Sequence, residues 1–272
     1  MITFLKPEEQ HQHKNGGGWV ANTAKVEETV YVGPNAQVFG NAWVFGNARV
    51  YGNARVSGDA RVYGNAWVYG NARVYGNARV SGDALVYGNA QVCGNAWVSD
   101  NARVSGNAQV SDNAQVYGYA RVSGNAWVFG NALVSDNARV SGNALVSDNA
   151  QVSDNAQVYG YARVSGDAQV FGNAQVSGNA LVSDNAQVHG YARVSGNARV
   201  YGDAWKYSPL YIQGTMHAIT NCAYGKLAIG CQVRSFSEWK KEYKKIGKDT
   251  GYTDEQIKEY GRHIAYAIKV GK

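Results

Sequence analysis

Three arginines that could bind anionic groups, Arg103, Arg121 and Arg139, follow one another at intervals of eighteen residues. A guanidinium group donates several hydrogen bonds in one plane and recognises phosphate or carboxylate. If eighteen residues make one turn of a regular structure, these side chains form a column on one surface. Such a column predicts recognition of an anionic partner rather than the making or breaking of bonds.

Aromatic side chains precede the arginines on the same predicted surface. Tyr51, Tyr69 and Tyr87 are also eighteen residues apart, and Trp67 lies beside them. Residues 39–97 as a whole are rich in Phe, Tyr and Trp, and aromatic residues together with arginine are enriched at protein interfaces. The sequence therefore predicts that this aromatic-rich half contacts a protein partner or a second copy of the chain.

An alternative interpretation assigns these side chains no partner. Stacked arginines repel one another, but in water they can spread apart, pack their aliphatic stems on neighbours and pair with nearby aspartates. Aromatic ladders can likewise stabilise adjacent strands by packing against each other. The sequence leaves both interpretations open.

Residues that commonly catalyse reactions or bind metal are sparse. His189 is the one histidine within residues 20–205, and no acidic residue that would orient it can be named. Cys222, Cys231 and His217 do not follow the spacing of a zinc site. We therefore predict no catalytic residue, no metal site and no cofactor.

The element that must position these side chains is a six-residue repeat. Valine occupies every sixth position from Val20 to Val200, and alanine every sixth from Ala36 to Ala204. A period of six does not match an α-helix, and hexapeptide repeats are typical of a parallel β-helix. Each repeat then provides a short strand and a corner. The valine points inward, its two neighbours point outward, and Gly or Asp followed by Asn or Asp forms the corner.

Three repeats predict a triangular coil of eighteen residues, and the aspartates support this period. Those in the first corner position fall in two of the three phases modulo eighteen: Asp100, Asp112, Asp136, Asp148, Asp154 and Asp184. The third phase is glycine from Gly52 to Gly196. With strands about 4.8 Å apart, roughly ten coils form a rod on the order of 50 Å long. At three corners Tyr119, Tyr161 and Tyr191 replace Asn, and we expect a bulky residue there to strain and alter the turn.

The repeats resemble those of known proteins. Gly-Gly-Trp-Val at Gly17–Val20, followed by reiterated Val-Tyr-Gly-Asn-Ala-Arg, resembles uncharacterised bacterial and prophage hexapeptide-repeat proteins that are often labelled as acyltransferases. The pattern is similar to the left-handed β-helix of hexapeptide-repeat proteins. This resemblance implies a left-handed coil, a phage or prophage association, and the alternative activity of an acyl-CoA-dependent acyltransferase. Such enzymes generally form trimers and use a histidine as general base.

The repeat divides the chain into three parts. Residues 1–19 are predicted to cap the first coil, residues 20–205 to form the β-helix, and residues 206–272 to form a small α+β cap of short strands and two helices.

Capping motifs predict the two helices of the third part. Ser235 and Glu238 form a capping box at the start of the first helix, and Gly247 is expected to end it. Thr253 and Gln256 mark the start of the second helix. The apolar stripes of both helices are expected to dock on the last coil.

The net charge of +6 lies entirely in the third part. Residues 1–204 carry 14 basic and 14 acidic residues, whereas residues 205–272 carry 12 and 6. The lysine-rich face of the first helix is most simply a solvated surface, and it is a second candidate for contact with an anionic partner. The sequence has no run of 18 apolar residues and no signal-peptide pattern, so we expect a cytoplasmic protein with no membrane partner.

The sequence thus predicts an all-β solenoid, a left-handed parallel β-helix of about ten triangular 18-residue coils with a small α+β C-terminal cap. We expect a non-catalytic scaffold that presents arginine and aromatic ladders to a partner, with acyl-CoA-dependent acyl transfer as the alternative function. Ice binding by a β-helix needs flat threonine ladders, and the repeats contain almost no threonine. The expected binding residues are Arg103, Arg121, Arg139, Tyr51, Trp67, Tyr69 and Tyr87.

Overall fold

The computed structural model of the protein describes residues 4–205 and 207–271. From residue 19 to residue 205 the chain visits three faces in a fixed order, with one short strand on each face and eighteen residues to each turn. Each valine pairs with the valine one turn later, as Val50 does with Val68 and Val68 with Val86. The predicted parallel β-solenoid of about ten coils with a small α+β cap is confirmed.

We call the three faces A, B and C in the order in which the chain reaches them. Face A consists of the strands Gln10–Gln12, Trp19–Ala21, Gln37–Val38, Arg55–Val56, Arg73–Val74, Gln91–Val92, Gln109–Val110, Trp127–Val128, Leu145–Val146, Arg163–Val164, Leu181–Ser183 and Arg199–Tyr201. Face B consists of Lys25–Val26, Trp43–Val44, Arg61–Val62, Arg79–Val80, Trp97–Val98, Gln115–Val116, Leu133–Val134, Gln151–Val152, Gln169–Val170, Gln187–Val188 and Ala204–Trp205. Face C consists of Tyr31–Val32, Arg49–Val50, Trp67–Val68, Leu85–Val86, Arg103–Val104, Arg121–Val122, Arg139–Val140, Gln157–Val158, Gln175–Val176 and Arg193–Val194.

Small side chains fill the narrow interior of the solenoid. The repeat valines and alanines lie inside, and Ala102 and Val104, for example, have no exposed surface. At each corner from Gly40 to Gly202 the first residue adopts a left-handed backbone. At Gly52 a Cβ would lie 2.9 Å from the backbone nitrogen of Gly70 in the next coil. Glycine at this corner therefore allows close stacking of coils, while Asp100 and the other aspartates in equivalent positions keep φ near 60°.

The cap is an antiparallel sheet covered by two helices. Its strands are Tyr211–Gln213, Ala218–Ala223, Lys226–Ile229 and Gln232–Ser235, and the helices are α1 (Phe236–Asp249) and α2 (Asp254–Val270). Their shared core includes Ile219, Leu227, Trp239, Tyr260 and Ile264. The apolar stripes of the helices thus pack on the cap sheet, and the prediction that they dock on the last coil is wrong. The capping boxes of Ser235 with Glu238 and of Thr253 with Gln256 are both formed, as predicted.

The prediction that Gly247 ends the first helix is wrong. Helix α1 continues to Asp249, and the Thr250 hydroxyl donates a hydrogen bond of 2.8 Å to the Ile246 carbonyl just beyond it. Gly247 is buried against α2, where a Cβ would lie 2.7 Å from Cγ1 of Ile257. The glycine is needed for close packing of the two helices, and the left-handed residue after the helix is Gly251.

Both ends of the solenoid are covered by non-repeat structure. Strand Gln10–Gln12 pairs in antiparallel fashion with Trp19–Ala21 of the first coil. At the other end, the Arg193 amide donates to Ser208 Oγ at 2.9 Å, and the Tyr224 amide donates to the Asp203 carboxylate. Covered edges prevent the terminal strands from pairing with other chains. The boundaries proposed at residues 19 and 205 stay predictions.

Candidate binding face

The strand register of face C places the predicted arginines in one column. Arg103 pairs with Arg121, and Arg121 pairs with Arg139, in adjacent parallel strands. Because the valine of each strand points inward, the arginine before it points outward, and all three are exposed. None of the three forms an ion pair within residues 4–205 and 207–271. The expected pairing with corner aspartates is therefore not formed.

The three predicted tyrosines form a continuous stack on the same face. The ring centroids of Tyr51 and Tyr69 lie 4.9 Å apart at an interplanar angle of 2°, and those of Tyr69 and Tyr87 lie 5.0 Å apart at 3°. Both ring faces of Tyr69 are thus covered by its neighbours. The stack presents ring edges and hydroxyl groups outward, and it offers no free face at Tyr69 on which a sugar or a base could stack.

Burial within the stack raises the pKa of two of its hydroxyls. Desolvation raises the pKa of Tyr51, and the nearby Arg49 opposes this effect. Desolvation raises the pKa of Tyr69 as well, assisted by the neighbouring Tyr51 and Tyr87. Protonated hydroxyls donate hydrogen bonds, so the stack can act as a row of donors.

Trp67 contacts both the tyrosine stack and the Arg49 guanidinium group. Its ring lies edge-on to Tyr51, with centroids 6.2 Å apart, and the Arg49 guanidinium carbon lies 5.1 Å from its ring centroid. The side chain is 37% exposed. All seven predicted binding residues therefore lie on face C, with the aromatic group in the earlier coils and the arginine column in the later ones.

A column of hydroxyl groups on face C was not recognised from the sequence. The position after each valine is Tyr or Ser through nine successive coils: Tyr51, Tyr69, Tyr87, Ser105, Ser123, Ser141, Tyr159, Ser177 and Ser195. None of these hydroxyls has a hydrogen-bond partner in the part of the chain that the structure describes.

Some hydroxyl groups on the other two faces do have hydrogen-bond partners. On face B, Ser81 accepts a hydrogen bond of 3.1 Å from Trp97 Nε1, and Ser135 donates to Asp136 at 2.9 Å. On face A, Ser111 accepts from Trp127 Nε1 at 3.1 Å. The sequence contained a signal for these bonds, because each tryptophan follows its serine by sixteen residues and Asp136 directly follows Ser135.

Negative charge is excluded from one edge of the solenoid. The corner between faces A and B carries Asp59, Asp112, Asp148, Asp167, Asp184 and Asp203, and the corner between faces B and C carries Asp83, Asp100, Asp136 and Asp154. The corner between faces C and A has no acidic residue from Gly52 to Asn197. The outward strand positions of face C are free of carboxylates as well. A solenoid with balanced charge is therefore basic along face C and its edge with face A.

The prediction that corner tyrosines alter their turns is wrong. Tyr119 and Tyr161 occupy the second corner position, and the left-handed residue is the preceding Gly118 or Gly160, with φ of 67° and 74°. The Tyr161 amide donates to the carbonyl of the next coil at 2.8 Å, as asparagine does at other corners. The turn is unchanged because the bulky residue is not the one that needs a left-handed backbone.

Residues outside face C offer little for catalysis or metal binding. The ring of His189 stacks on Phe171 on face B, with centroids 5.0 Å apart at 10°. Burial raises the pKa of the Cys222 thiol to about 11, which makes it a poor nucleophile at neutral pH. Within the described residues, no cluster of three His, Cys, Asp or Glu side chains could hold a metal ion, and no helix is long and apolar enough to span a membrane.

A family model described as the YdcK β-solenoid repeat matches the chain repeatedly. The matched residues are 36–52, 48–62, 54–70, 60–76, 66–82, 72–88, 78–94, 90–106, 96–112, 114–130, 120–136, 138–154, 150–166, 174–190 and 192–208. No curated protein sequence matches the chain.

Two solved structures are similar to the chain at low sequence identity. One is a UDP-N-acetylglucosamine acyltransferase from Francisella novicida, 13% identical, with 89% of this chain and 77% of that chain covered at a TM-score of 0.29. The other is a UDP-N-acetylglucosamine acyltransferase from Arabidopsis, 11% identical, with 86% and 79% covered at a TM-score of 0.25.

Proposed function

Given that the chain belongs to the YdcK β-solenoid repeat family, we propose that it is a non-catalytic binding scaffold whose face C receives an extended anionic partner. The observation that carries this proposal is the set of unpaired donors on that face. Three guanidinium groups lie beside a column of nine hydroxyls, and these groups have no partner within the described residues. Unpaired donors in a row along a rod suit a partner that is itself linear and negatively charged.

The distribution of charge supports the same partner. Face C and its edge with face A lack carboxylates, so an anionic chain that lies along them contacts no like charge. Nine coils at about 4.8 Å give a binding surface of roughly 40 Å. The partner is recognised through its phosphate or carboxylate groups rather than through flat rings, because Tyr69 has no free ring face on which such a ring could stack.

Two other roles receive less support. Acyl transfer needs a general base that reaches the substrate, and His189 stacks on Phe171 with no acidic residue hydrogen-bonded to its ring in the described chain. Self-association through the aromatic-rich half is less favoured at Tyr69, because its neighbours in the stack cover both of its ring faces. A phage association and a cytoplasmic location stay predictions.

The proposal is tested by changing Arg103, Arg121 and Arg139 together to glutamine. Binding of fluorescein-labelled polyphosphate and of labelled polyglutamate is measured by anisotropy between 50 and 200 mM NaCl. We expect the affinity for the true partner class to fall at least about tenfold at 50 mM, and the slope of log K against log salt to fall by about 2 to 3, near 0.7–0.9 for each lost contact.

A matched variant removes the same charge from another face. Arg55, Arg73 and Arg163 lie on face A, and their joint change to glutamine is expected to alter polyanion binding much less. Equal losses in the two variants would indicate nonspecific attraction and would contradict a site on face C. Failure of the wild-type protein to bind either polyanion would also contradict a site on face C.

A further inference from the structure

The cap contains a half-open cavity that the binding face does not use. Its volume is about 140 Å³, and it lies between helices α1 and α2 and the hairpin at Gly230 and Cys231. The inner wall is apolar and aromatic, formed by Ile229, Trp239, Tyr243, Ile246, Ile257 and Ile264. An apolar wall that faces solvent is stabilised when an apolar group covers it.

The volume and the lining together suit one aromatic ring. A dry cavity of about 150 Å³ lined by Leu, Ile and Phe takes up benzene. The cavity of the cap is close to that size, and its inner wall has the same character. Water is a poor occupant of this part, because an ordered water needs two to four polar partners.

Polar groups lie at one side of the cavity. The Tyr260 hydroxyl is already engaged, since it accepts from the Met216 amide at 3.0 Å and donates to the His217 carbonyl at 2.7 Å. The hydroxyl of Tyr252 lies 2.6 Å from Nδ1 of His217. Burial raises the pKa of Tyr252 to about 12, so this hydroxyl keeps its proton and can donate it to Nδ1. In that arrangement the ring proton of His217 lies on Nε2.

Gly230 leaves room for the His217 imidazole beside the cavity. A Cβ at Gly230 would lie 2.8 Å from Cδ2 and 3.2 Å from Nε2 of His217, so a side chain there would displace the ring. His217 is exposed and lines the cavity, and its Nε2–H is the ring donor left for a ligand.

We infer that the cap binds a small monocyclic aromatic molecule that carries one hydrogen-bond acceptor, with the ring among the isoleucines and the acceptor at His217. This site is separate from face C, and either proposal can fail without the other. Its occupant stabilises the cap, because a ligand that binds the folded state alone favours that state.

Phenol and benzene are suitable probes for the full-length protein. The indole N–H of Trp239 lines the cavity and donates to the Leu227 carbonyl at 2.9 Å, so its NMR resonance reports on an occupant. Titration with phenol is expected to shift this resonance to saturation and to raise the melting temperature of the cap. Absence of a saturable shift with both probes in the wild-type protein would overturn the inference.

Variants test the position of the site and distinguish the role of its apolar wall from that of the His217 donor. Ile246→Phe fills the cavity and is expected to weaken binding of both probes at least tenfold. Ile268→Phe changes the same core outside the cavity wall and is expected to leave binding within twofold.

His217→Ala should weaken the binding of phenol at least fivefold and leave the binding of benzene unchanged. Equal effects of His217→Ala on the two probes would contradict the hydrogen bond to the ligand.

Discussion

At the scale of single residues, asparagine at the second corner position ties neighbouring coils together. Between faces C and A, the side-chain amide of Asn53 donates to Asn71, and this pattern continues through successive coils to Asn143 at distances from 2.9 to 3.1 Å. Tyr161 interrupts the ladder before Asn179 and is 64% exposed. The ladder adds side-chain hydrogen bonds to the backbone bonds that already join the coils.

Tyr161→Asn is expected to stabilise the solenoid. The new amide completes hydrogen bonds with Asn143 on one side and Asn179 on the other, and each contributes about 0.5–1.5 kcal/mol. The free energy of unfolding should therefore rise by about 1–3 kcal/mol, measured in urea with a matching rise in melting temperature. Tyr191→Asn is the control, because Pro209 occupies the position one turn later and leaves a ladder neighbour on one side only. An unchanged stability for Tyr161→Asn would show that the ladder contributes little.

The column of each residue on face C could be predicted from the sequence, because the periods of six and eighteen determine both face and coil. This is why Arg103, Arg121, Arg139 and the tyrosines lie where they were expected. What the periods do not show is which polar groups have partners. That depends on side chains sixteen or eighteen residues away, as Ser81 and Trp97 illustrate.

At the scale of elements, the cap and the solenoid were predictable to different degrees. The solenoid follows from one repeated rule, whereas the cap depends on packing between segments that have no common pattern. Gly247 illustrates this, since its role in the contact between α1 and α2 appears only when Ile257 is placed against it. The cavity of the cap could not be predicted for the same reason.

The buried thiol of Cys222 provides a measure of opening in the cap. It has no exposed surface, and burial raises its pKa from 9.0 to about 11. The native cap therefore favours the protonated thiol. The stability gained in this way is present below the ordinary pKa and is lost as the pH rises from about 9 toward about 11.

Ser235→Ala is expected to increase the opening of the cap. The Ser235 hydroxyl caps α1 by accepting from the Glu238 amide at 3.2 Å, and loss of such a cap costs about 1 kcal/mol. Alkylation of Cys222 by iodoacetamide at pH 8 should then accelerate about fivefold, since it requires local unfolding. Ser237→Ala is the matched control, because Ser237 Oγ contacts Ser235 Oγ and no backbone amide. Exposed Cys231 should react at the same rate in all three proteins; equal rates at Cys222 would contradict the role of the cap.

At the scale of the whole molecule, charge is segregated around the solenoid rather than along it. Residues 1–204 carry 14 basic and 14 acidic residues, so net charge alone indicates no preference for an anionic partner. The ten aspartates from Asp59 to Asp203 occupy two of the three corners, and the third corner is neutral. The resulting field distinguishes one side of the rod from the others, and exposed charges act over roughly 8 to 10 Å at physiological salt.

Placing acid on the neutral corner tests whether this field matters for binding. Asn107→Asp with Asn125→Asp adds two charges between faces C and A, whereas Asn113→Asp with Asn131→Asp adds them between faces A and B. An aspartate can accept in the ladder, as Asp167 accepts from Asn149 at 2.9 Å. Both double variants place two carboxylates at consecutive ladder positions and lose two amide donors, so their effects on the fold are matched. We expect the first variant to bind the polyanion several-fold more weakly than the second at 50 mM NaCl, measured by anisotropy, with the difference shrinking at higher salt because exposed charges are then screened. Equal affinities at low salt would mean that the partner does not approach along this edge, and the arginines would then have to act without support from the charge pattern around them.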